Sequence, residues 1–464
     1  MHPRWKSTLL TALVVLGLLV TIGLPVLASH PPALLRVGAA YAAKIVCSGL
    51  YLEGRDPDRV LHEDVQSPGS LLLRLMRVEV DREQGIVRAG LFGFIGDGVA
   101  VAQPGLGCRV VADGRLDRVA HFGRAAAPTP APRPQPWPEG ETAVPDPKLE
   151  RLIADDALAG AGVRAILIAQ HRRLLAERYG AGFDAGTRQL GWSMTKTVTA
   201  ALAGLLVQEG RLHTDSPTGL YREGDPRAQI RICDLLSMTS GLASNENHGR
   251  VSDAARMLFL EPDMAAFAAQ HALEHPPGTF WRYSNGSAVM VAHLFQQAAG
   301  SEALALVRTR LFEPLGMRSA VIETDEGGTL VGSSYMYATP RDWARFGEFL
   351  LEGGAWHGAD LLPPGYVAQM RAPVAPSGGQ YGAGMVWLRG SDTTAETTAT
   401  GPGPNPDRGY GLPEDTFWMQ GHDGQYVAMI PSRGVVIVRM GVTPGTLGFR
   451  PQPLVQAVLR ALPP

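Results

Sequence analysis

The chain has 464 residues, of which 45% are hydrophobic and 19% charged, so it can bury a large core in one or two domains. The formal net charge is only −2, with no strongly basic stretch and no acidic tail, which argues against nucleic acid as a partner.

The amino terminus is apolar. After the basic start M-H-P-R-W-K, residues 8–28 read T-L-L-T-A-L-V-V-L-G-L-L-V-T-I-G-L-P-V-L-A. A run of this length can span a bilayer, whereas Val26-Leu27-Ala28 has the small residue of a cleavage site, so residues 1–28 are either a signal peptide or an inner-membrane anchor. In both cases we expect the rest of the chain to be periplasmic or otherwise outside the cytoplasm, secreted or anchored.

Composition divides the rest of the chain into three parts. Residues 29–124 form an N-terminal extension whose alternating patches, such as L-M-R-V-E-V-D, predict a few short strands. Residues 125–147 are proline-rich and predict a linker or an extended strap. Residues 148–464 form the large domain.

The three cysteines differ in their surroundings. Cys47 and Cys108 both lie in the extension, where they either pair in an oxidising compartment or remain two buried thiols; we predict the disulfide. Cys233 lies in a helical stretch and is expected to be a buried free thiol. No cysteine–histidine spacing indicates a metal, so no metal ligand is predicted.

Strand patterns lie at both ends of the large domain, with helical patterns between them. Residues 164–180 predict a hairpin, and residues 416–441 predict two strands joined at Ser432-Arg433-Gly434. The helical stretches are a buried helix that starts near Ser193 and ends at Gly210, Gly286 to Ala299, Pro340 to Leu351 and Gln452 to Leu462. This order predicts one sheet built from both ends of the domain, with a helical insert.

Lysine is rare in this chain. Lysine and arginine total 42, but the only lysines are Lys6, Lys44, Lys148 and Lys196. Lys196 follows Ser193 by three residues, so on a helix their side chains share a face. A buried ammonium can lose its proton and a guanidinium cannot, so Lys196 is a candidate base for a serine nucleophile.

Two further stretches are candidates for the same site. Tyr283-Ser284-Asn285 precedes a helix; Tyr283 next to a cationic lysine would shift towards phenolate, and Asn285 would orient the lysine or a substrate carbonyl. The alternative is that Asn285 only caps the helix starting at Gly286.

Gly421 to Gln425 read G-H-D-G-Q inside a predicted strand, where the glycines indicate close approach of another group. The backbone N–H groups of Ser193 and Gln425 are the candidate oxyanion donors.

Together these stretches resemble a known superfamily. S-M-T-K at Ser193, Y-S-N at Tyr283 and H-D-G on a late strand resemble the three motifs of the serine β-lactamase and penicillin-binding protein superfamily. D-L-L-S-M-T-S-G-L from Asp234 and L-F-E-P-L-G-M from Leu311 are similar to the class C β-lactamase-related branch. Within that branch of esterases, D-aminopeptidases and 6-aminohexanoate-dimer hydrolases, the set most resembles the last group, over about residues 150–455.

The resemblance implies an α/β (α+β) fold, in which an antiparallel sheet flanked by helices adjoins a helical subdomain. It implies that Ser193 is the acylated nucleophile, that Lys196 activates it, and that Tyr283 transfers protons beside Asn285. The amides of Ser193 and Gln425 would bind the oxyanion, and no cofactor is implied.

The third motif departs from the penicillin-hydrolysing members, which usually carry lysine–threonine/serine–glycine there. His422-Asp423-Gly424 is a poor receptor for a substrate carboxylate, since the histidine is mostly neutral and the aspartate is negative. We therefore predict a serine hydrolase for a small ester, amide or peptide, with Asn285, His422, Asp423 and Gly424 at the substrate. The alternatives are a β-lactamase or D,D-carboxypeptidase, a non-catalytic envelope binding protein, and a structural envelope protein that acts through its N-terminal part.

Overall fold

The computed structural model describes residue 21 and residues 24–112, 114–116, 134–246, 251–391 and 405–463. Within these ranges the helices of eight or more residues are α1 Ala33–Tyr51, α2 Thr195–Gln208, α3 Asp253–Leu260, α4 Asn285–Ala299, α5 Pro340–Leu351 and α6 Gln452–Ala461. The shorter helices are Leu24–Ser29, Pro57–Val60, Leu71–Arg74, Pro147–Ile153, Asp156–Ala159, Ile232–Leu236, Met264–Ala269, Ala303–Leu306, Glu313–Leu315 and Tyr366–Met370.

The strands are also numbered in chain order. They are β1 Met76–Asp81, β2 Ile86–Leu91, β3 Ile95–Gln103, β4 Gly107–Val110, β5 Val163–Gln170, β6 Arg173–Tyr179, β7 Gln189–Leu190, β8 Val321–Ile322, β9 Met336–Ala338, β10 Ala355–Trp356, β11 Ala359–Asp360, β12 Phe417–Gly421, β13 Gln425–Ile430 and β14 Val435–Gly441. The predictions for residues 8–20, 22–23 and 125–133 fall outside the described residues.

Residues 33–112 form an N-terminal module in which α1 lies across an antiparallel sheet ordered β1-β2-β3-β4. Small residues allow this close packing: a Cβ on Gly98 would lie 2.1 Å from the carbonyl carbon of Ala39. A disulfide between Cys47 and Cys108 joins α1 to β4. In the described part of the chain, α1 is the one helix long and apolar enough to cross a membrane, and 67% of its apolar window is buried inside the protein.

A five-stranded antiparallel sheet, ordered β12-β13-β14-β5-β6, forms the centre of the large domain. Its strands come from both ends of the domain, as predicted: Ile437 of β14 pairs with Ile168 of β5. Because successive side chains alternate between faces, Leu167 packs with the α2 and α5 core while Ile168 packs with α6. The prediction of a helix-flanked antiparallel sheet is confirmed.

The described end of the proline-rich stretch lies along the large domain as a strap. Trp137 is buried in the main core, and the Val144 N–H donates to the Leu174 carbonyl at 2.9 Å. The buried guanidinium of Arg345 donates to the carbonyls of Pro138 and Gly140. The sequence predicted either a linker or an extended strap for this stretch, and residues 134–146 form a strap.

The N-terminal module joins the large domain through a buried ion pair. Lys44 of α1 lies 2.5 Å from the carboxylate of Glu323, and neither side chain is exposed. The same carboxylate accepts hydrogen bonds from the Ser48 hydroxyl at 2.7 Å and from the Cys108 backbone N–H at 2.6 Å. Glu323 follows β8, which is one of the two outer strands of a three-stranded sheet ordered β7-β9-β8; the other outer strand, β7, leads to Ser193.

Candidate active site

Ser193 lies in a short 3₁₀ turn, Trp192–Met194, between β7 and α2. Gly191 precedes this turn, and a Cβ on it would lie 2.2 Å from the ring of Trp343. Only glycine therefore fits at position 191. Trp192 has a left-handed φ of 47°, which is rare for a bulky residue and costs conformational energy. Its ring packs edge-on against Tyr335 and His422, and this packing holds the backbone that presents Ser193.

Lys196 is buried, and its amine has three polar neighbours. Nζ lies 3.0 Å from Ser193 Oγ, and it donates to Asn285 Oδ1 at 2.7 Å and to the Ser333 carbonyl at 2.8 Å. Burial lowers the pKa of Lys196 to about 7, a shift that the carboxylate of Glu246 opposes. Near neutral pH this lysine can therefore exist as a free amine.

Tyr283 contacts the same two side chains. Its phenol is hydrogen-bonded to Ser193, and Lys196 Nζ lies 4.8 Å from the centre of its ring. The expected shift towards phenolate is wrong: burial raises the pKa of Tyr283, because desolvation of the phenolate outweighs the hydrogen bond from Ser193. Tyr283 is thus a phenol that can donate a proton.

Asn285 is held from two sides at the start of α4. The alternative that Asn285 caps this helix is also wrong, because Ser284 is the cap and accepts from the Ser287 N–H at 3.1 Å. The Asn285 side-chain amide donates to Glu246 at 2.6 Å, and its backbone N–H donates to the other oxygen of that carboxylate at 3.0 Å. With its NH₂ bound to Glu246, the amide presents its oxygen to Lys196.

Sequence reasoning missed Glu246. It is one of 44 acidic residues, and no local motif separates it from the others. Only the folded chain brings it next to Asn285, 39 residues further on.

The third predicted stretch is not inside a strand. His422, Asp423 and Gly424 form the turn between β12 and β13. Asp423 has a φ of 55° and Gly424 a φ of 84°, the left-handed pair for which Asp-Gly is favoured in hairpin turns. His422 Nε2 lies 3.5 Å from the Asp423 carboxylate.

The hairpin touches the turn that carries Ser193. A Cβ on Gly421 would lie 2.2 Å from the Gly191 carbonyl oxygen, so this approach also requires glycine. Across the hairpin, Gly421 pairs with Gln425. The side-chain oxygen of Gln425 accepts a hydrogen bond from the backbone N–H of Gly441. The structure thus brings the first residue of β13 beside the segment that contains Ser193.

The free cysteine and the possible metal ligands were the other candidates for chemistry in this chain. Burial raises the pKa of the half-buried Cys233 thiol to about 11, which keeps it in its unreactive form. Among the described residues, no group of three or more His, Cys, Asp or Glu side chains is placed to hold a metal ion.

The antiparallel sheet flanked by helices, with Ser193 at the start of a buried helix, is a β-lactamase/transpeptidase fold. The sequence profile of the family described as "Beta-lactamase" matches residues 146–456, well over half of the chain. The chain therefore belongs to the beta-lactamase family.

Three individual proteins that resemble this chain share a quarter or less of its sequence over the matched regions. The chain is 25% identical over 223 residues to a 6-aminohexanoate-dimer hydrolase from Paenarthrobacter ureafaciens, a match that covers 45% of this chain and 57% of the relative. It thus spans less than two thirds of that curated relative.

Two solved structures share the fold. One, from Bacillus anthracis and provisionally named a 6-aminohexanoate-dimer hydrolase, superimposes with a TM-score of 0.55 at 19% identity, over 69% of this chain and 88% of that one. A family VIII carboxylesterase superimposes with a TM-score of 0.52 at 16% identity, over 69% of this chain and 99% of that one.

Proposed function

We propose that the protein is a serine hydrolase that cleaves an ester or amide bond of a small molecule through an acyl-serine intermediate. The observation that carries this proposal is the surroundings of the Lys196 amine. Two of its neighbours, Asn285 Oδ1 and the Ser333 carbonyl, can only accept hydrogen bonds. A neutral amine that gives both of its N–H groups to them directs its lone pair at Ser193 Oγ, 3.0 Å away.

In the proposed reaction, Ser193 gives its proton to Lys196 as Oγ attacks the substrate carbonyl carbon. The electron pair of the C=O bond moves onto the oxygen, which the backbone N–H groups of Ser193 and Gln425 stabilise. Tyr283 protonates the leaving alcohol or amine and recovers its proton from Lys196. Water then attacks the acyl-serine, and the same groups carry its proton to Ser193.

The turn between β12 and β13 supports a substrate without a carboxylate at that position. The turn lacks the lysine that the penicillin-hydrolysing members usually carry, and Asp423 lines a cavity together with Tyr41 and Trp192. The names of two similar proteins, a 6-aminohexanoate-dimer hydrolase and a family VIII carboxylesterase, are consistent with a small ester or amide as the substrate.

We also propose that the enzyme acts outside the cytoplasm. Apolar residues 8–28 support export or anchoring, and a disulfide such as Cys47–Cys108 persists in an oxidising compartment.

The test is hydrolysis of a short-chain p-nitrophenyl ester by the purified protein and by its Ser193→Ala variant. The intact-protein mass should rise by the acyl group when the reaction is quenched early, and Ser193→Ala should show neither turnover nor adduct. Equal turnover by both proteins would remove Ser193 as the nucleophile. Faster hydrolysis of a chromogenic cephalosporin than of esters and amides would favour the β-lactamase alternative. Binding without turnover across esters, amides and cephalosporins would indicate a non-catalytic protein.

A further inference from the structure

Exposed apolar side chains are concentrated in the first hundred residues. In the described part of the chain, nine large hydrophobic side chains are exposed, and seven of them lie between residues 26 and 94. These seven are Val26, Leu34, Tyr51, Leu71, Leu75, Phe92 and Phe94. Single exposed apolar residues are normal, but a contiguous group indicates a contact surface.

Five of the seven lie at one end of the N-terminal module, where α1 begins. Leu71 and Leu75 are one helical turn apart, and the Phe92 N–H donates to the Leu75 carbonyl at 3.1 Å. Phe94 lies in the same turn between β2 and β3, two residues before Gly96.

Gly96 ties that turn to the start of α1: a Cβ there would lie 2.9 Å from the Leu35 carbonyl oxygen. We call this group, Leu34, Leu71, Leu75, Phe92 and Phe94, the apolar end of the module. Tyr51 is at the opposite end of α1, about 27 Å away at 1.5 Å per residue, and does not belong to it.

Cationic side chains flank the apolar end. Arg74 and Arg77 are exposed beside it, and a Cβ on Gly93 in the Phe92–Phe94 turn would lie 3.6 Å from the Arg77 Cβ. One carboxylate, Asp97, is exposed next to the same turn. Exposed aromatic and leucine side chains bordered by arginine suit the interface of an anionic bilayer, where apolar groups enter the acyl region and cations meet phosphate.

The chain itself places this end close to a lipid-seeking segment. Apolar residues 8–28 are followed by only residues 29–32 before α1 begins at Ala33. Residues Leu24–Ser29 form a short helix whose Leu27 and Ala28 pack against the core of the module, so a bilayer that holds the preceding apolar residues keeps the start of α1 next to its surface. Helix α1 does not cross the membrane itself, because it packs on β3 and buries Lys44 in an ion pair with Glu323.

We propose that the apolar end of the N-terminal module is a membrane-contacting surface, on which the module rests against the outer face of the bilayer. The module then has a role of its own, because it sets the orientation of the hydrolase domain relative to the lipid surface. Helix α1, through Lys44, joins the module to that domain.

The test uses the full chain reconstituted in phosphatidylethanolamine/phosphatidylglycerol vesicles. In a Cys233→Ser background, Phe94→Cys is labelled with the polarity-sensitive dye NBD. Leu447→Cys on the hydrolase domain is the matched control, because Phe94 and Leu447 are each 56% exposed. Circular dichroism melts show that both labelled proteins are folded.

The expected result is a blue-shifted emission at position 94 that lipids with doxyl-labelled acyl chains quench, and an unshifted, unquenched emission at position 447. A water-like, unquenched emission at 94 would overturn the proposal even if the protein stays bound to the vesicles, since the chain would then be tethered without contact. The emission at position 94 could instead shift with the protein-to-lipid ratio and remain unquenched by the doxyl lipids. That result would assign the surface to a second copy of the chain and would also overturn the proposal.

Discussion

The four lysines among 42 basic residues are not equivalent at the scale of single residues. Lys148 is at the surface, where its ammonium donates to the Ala461 carbonyl, and arginine would serve there equally well. Lys196 and Lys44 are buried, each against side chains of other elements. Burial is what makes lysine different from arginine, because only lysine can give up its proton in such surroundings.

The first prediction concerns the identity of the base. Lys196→Arg should lower kcat for the p-nitrophenyl ester by about 10²–10⁴-fold, because guanidinium keeps the charge and cannot accept the Ser193 proton. A thermal melt checks that the variant folds, and Lys148→Arg is the matched control. Wild-type turnover by Lys196→Arg would remove lysine from the mechanism.

The second prediction is a pH dependence. Burial lowers the pKa of Lys196 to about 7 in the folded protein, so the free amine is lost as pH falls through that value. We expect kcat/KM to be constant at higher pH and to decline below about pH 7. Unfolded lysine keeps its proton up to about pH 10.4, so this group also makes the fold more stable as pH rises from 7 towards 10. A profile that is flat between pH 5 and 9 would contradict a lysine base.

The third prediction concerns Glu246, which acts through Asn285 and Lys196. Glu246→Gln removes the carboxylate that holds the pKa of Lys196 up and that orients the Asn285 amide. The acid limb of the kcat/KM profile should move to lower pH. The plateau should fall about tenfold or more, since hydrogen bonds to charged groups contribute about 1.5–3 kcal/mol. Glu150→Gln, on an exposed helix face, is the control; an unmoved limb in Glu246→Gln would leave Glu246 with a structural role only.

At the scale of elements, two glycines let three elements meet at Ser193. Gly191 passes under the ring of Trp343 of α5, and Gly421 of β12 meets the carbonyl of Gly191. A side chain at either position would separate the hairpin from the nucleophile turn.

The fourth prediction follows from that contact. Gly421→Ala places a Cβ 2.2 Å from the Gly191 carbonyl oxygen, so the hairpin must shift away from Ser193. We expect about a 100-fold loss of kcat/KM with the fold retained, because displacement of about 1 Å at a catalytic centre has that effect. Gly409→Ala is the control, since nothing lies within 4 Å of a Cβ there. Equal activity of both variants would mean that β12 does not position the site.

At the scale of the whole molecule, the N-terminal module and the large domain share one buried cluster. Lys44 lies 4.0 Å from the ring centre of Tyr335, which in turn packs against Trp192. The backbone of Ser333, two residues before Tyr335, accepts from Lys196. A continuous set of contacts therefore runs from α1 to the nucleophile and its lysine.

The fifth prediction tests this cluster. Lys44→Met leaves the Glu323 carboxylate buried without its cation and should lower the free energy of unfolding by about 3–5 kcal/mol. Adding Glu323→Leu should recover most of that loss, because a buried ion pair can be replaced by apolar side chains at little net change in stability. Denaturant titrations measure both, with Lys148→Met as the control. An unchanged midpoint in Lys44→Met would show that the pair does not hold the two parts together.

Several features were readable from local sequence because they depend on near neighbours. The Ser193–Lys196 pair shares a helix face by spacing alone, and the hairpins at both ends of the large domain follow from alternating apolar residues and turn residues. The Asp423-Gly424 turn was misplaced inside a strand, although Asp-Gly is a turn signal, because the apolar residues on both sides read as one run. The phenolate expected for Tyr283 failed for a different reason: its charge state depends on burial, which no local pattern reports.

The sequence by itself determined the family, the strands at both ends of the large domain, the helices α2, α4, α5 and α6, and the motif residues Ser193, Lys196, Tyr283 and Asn285, because these depend on residue type and on spacing along the chain; it did not predict helix α1. Only the tertiary structure decided that Glu246 stands behind Asn285, that Lys44 is buried against Glu323, and that the exposed apolar residues of the module share one end. Each of these joins residues far apart in the chain, such as Lys44 and Glu323, so it exists only once packing has brought separate elements together. The same packing removes water from the Lys196 amine and so lowers its pKa, the property on which the proposed reaction rests.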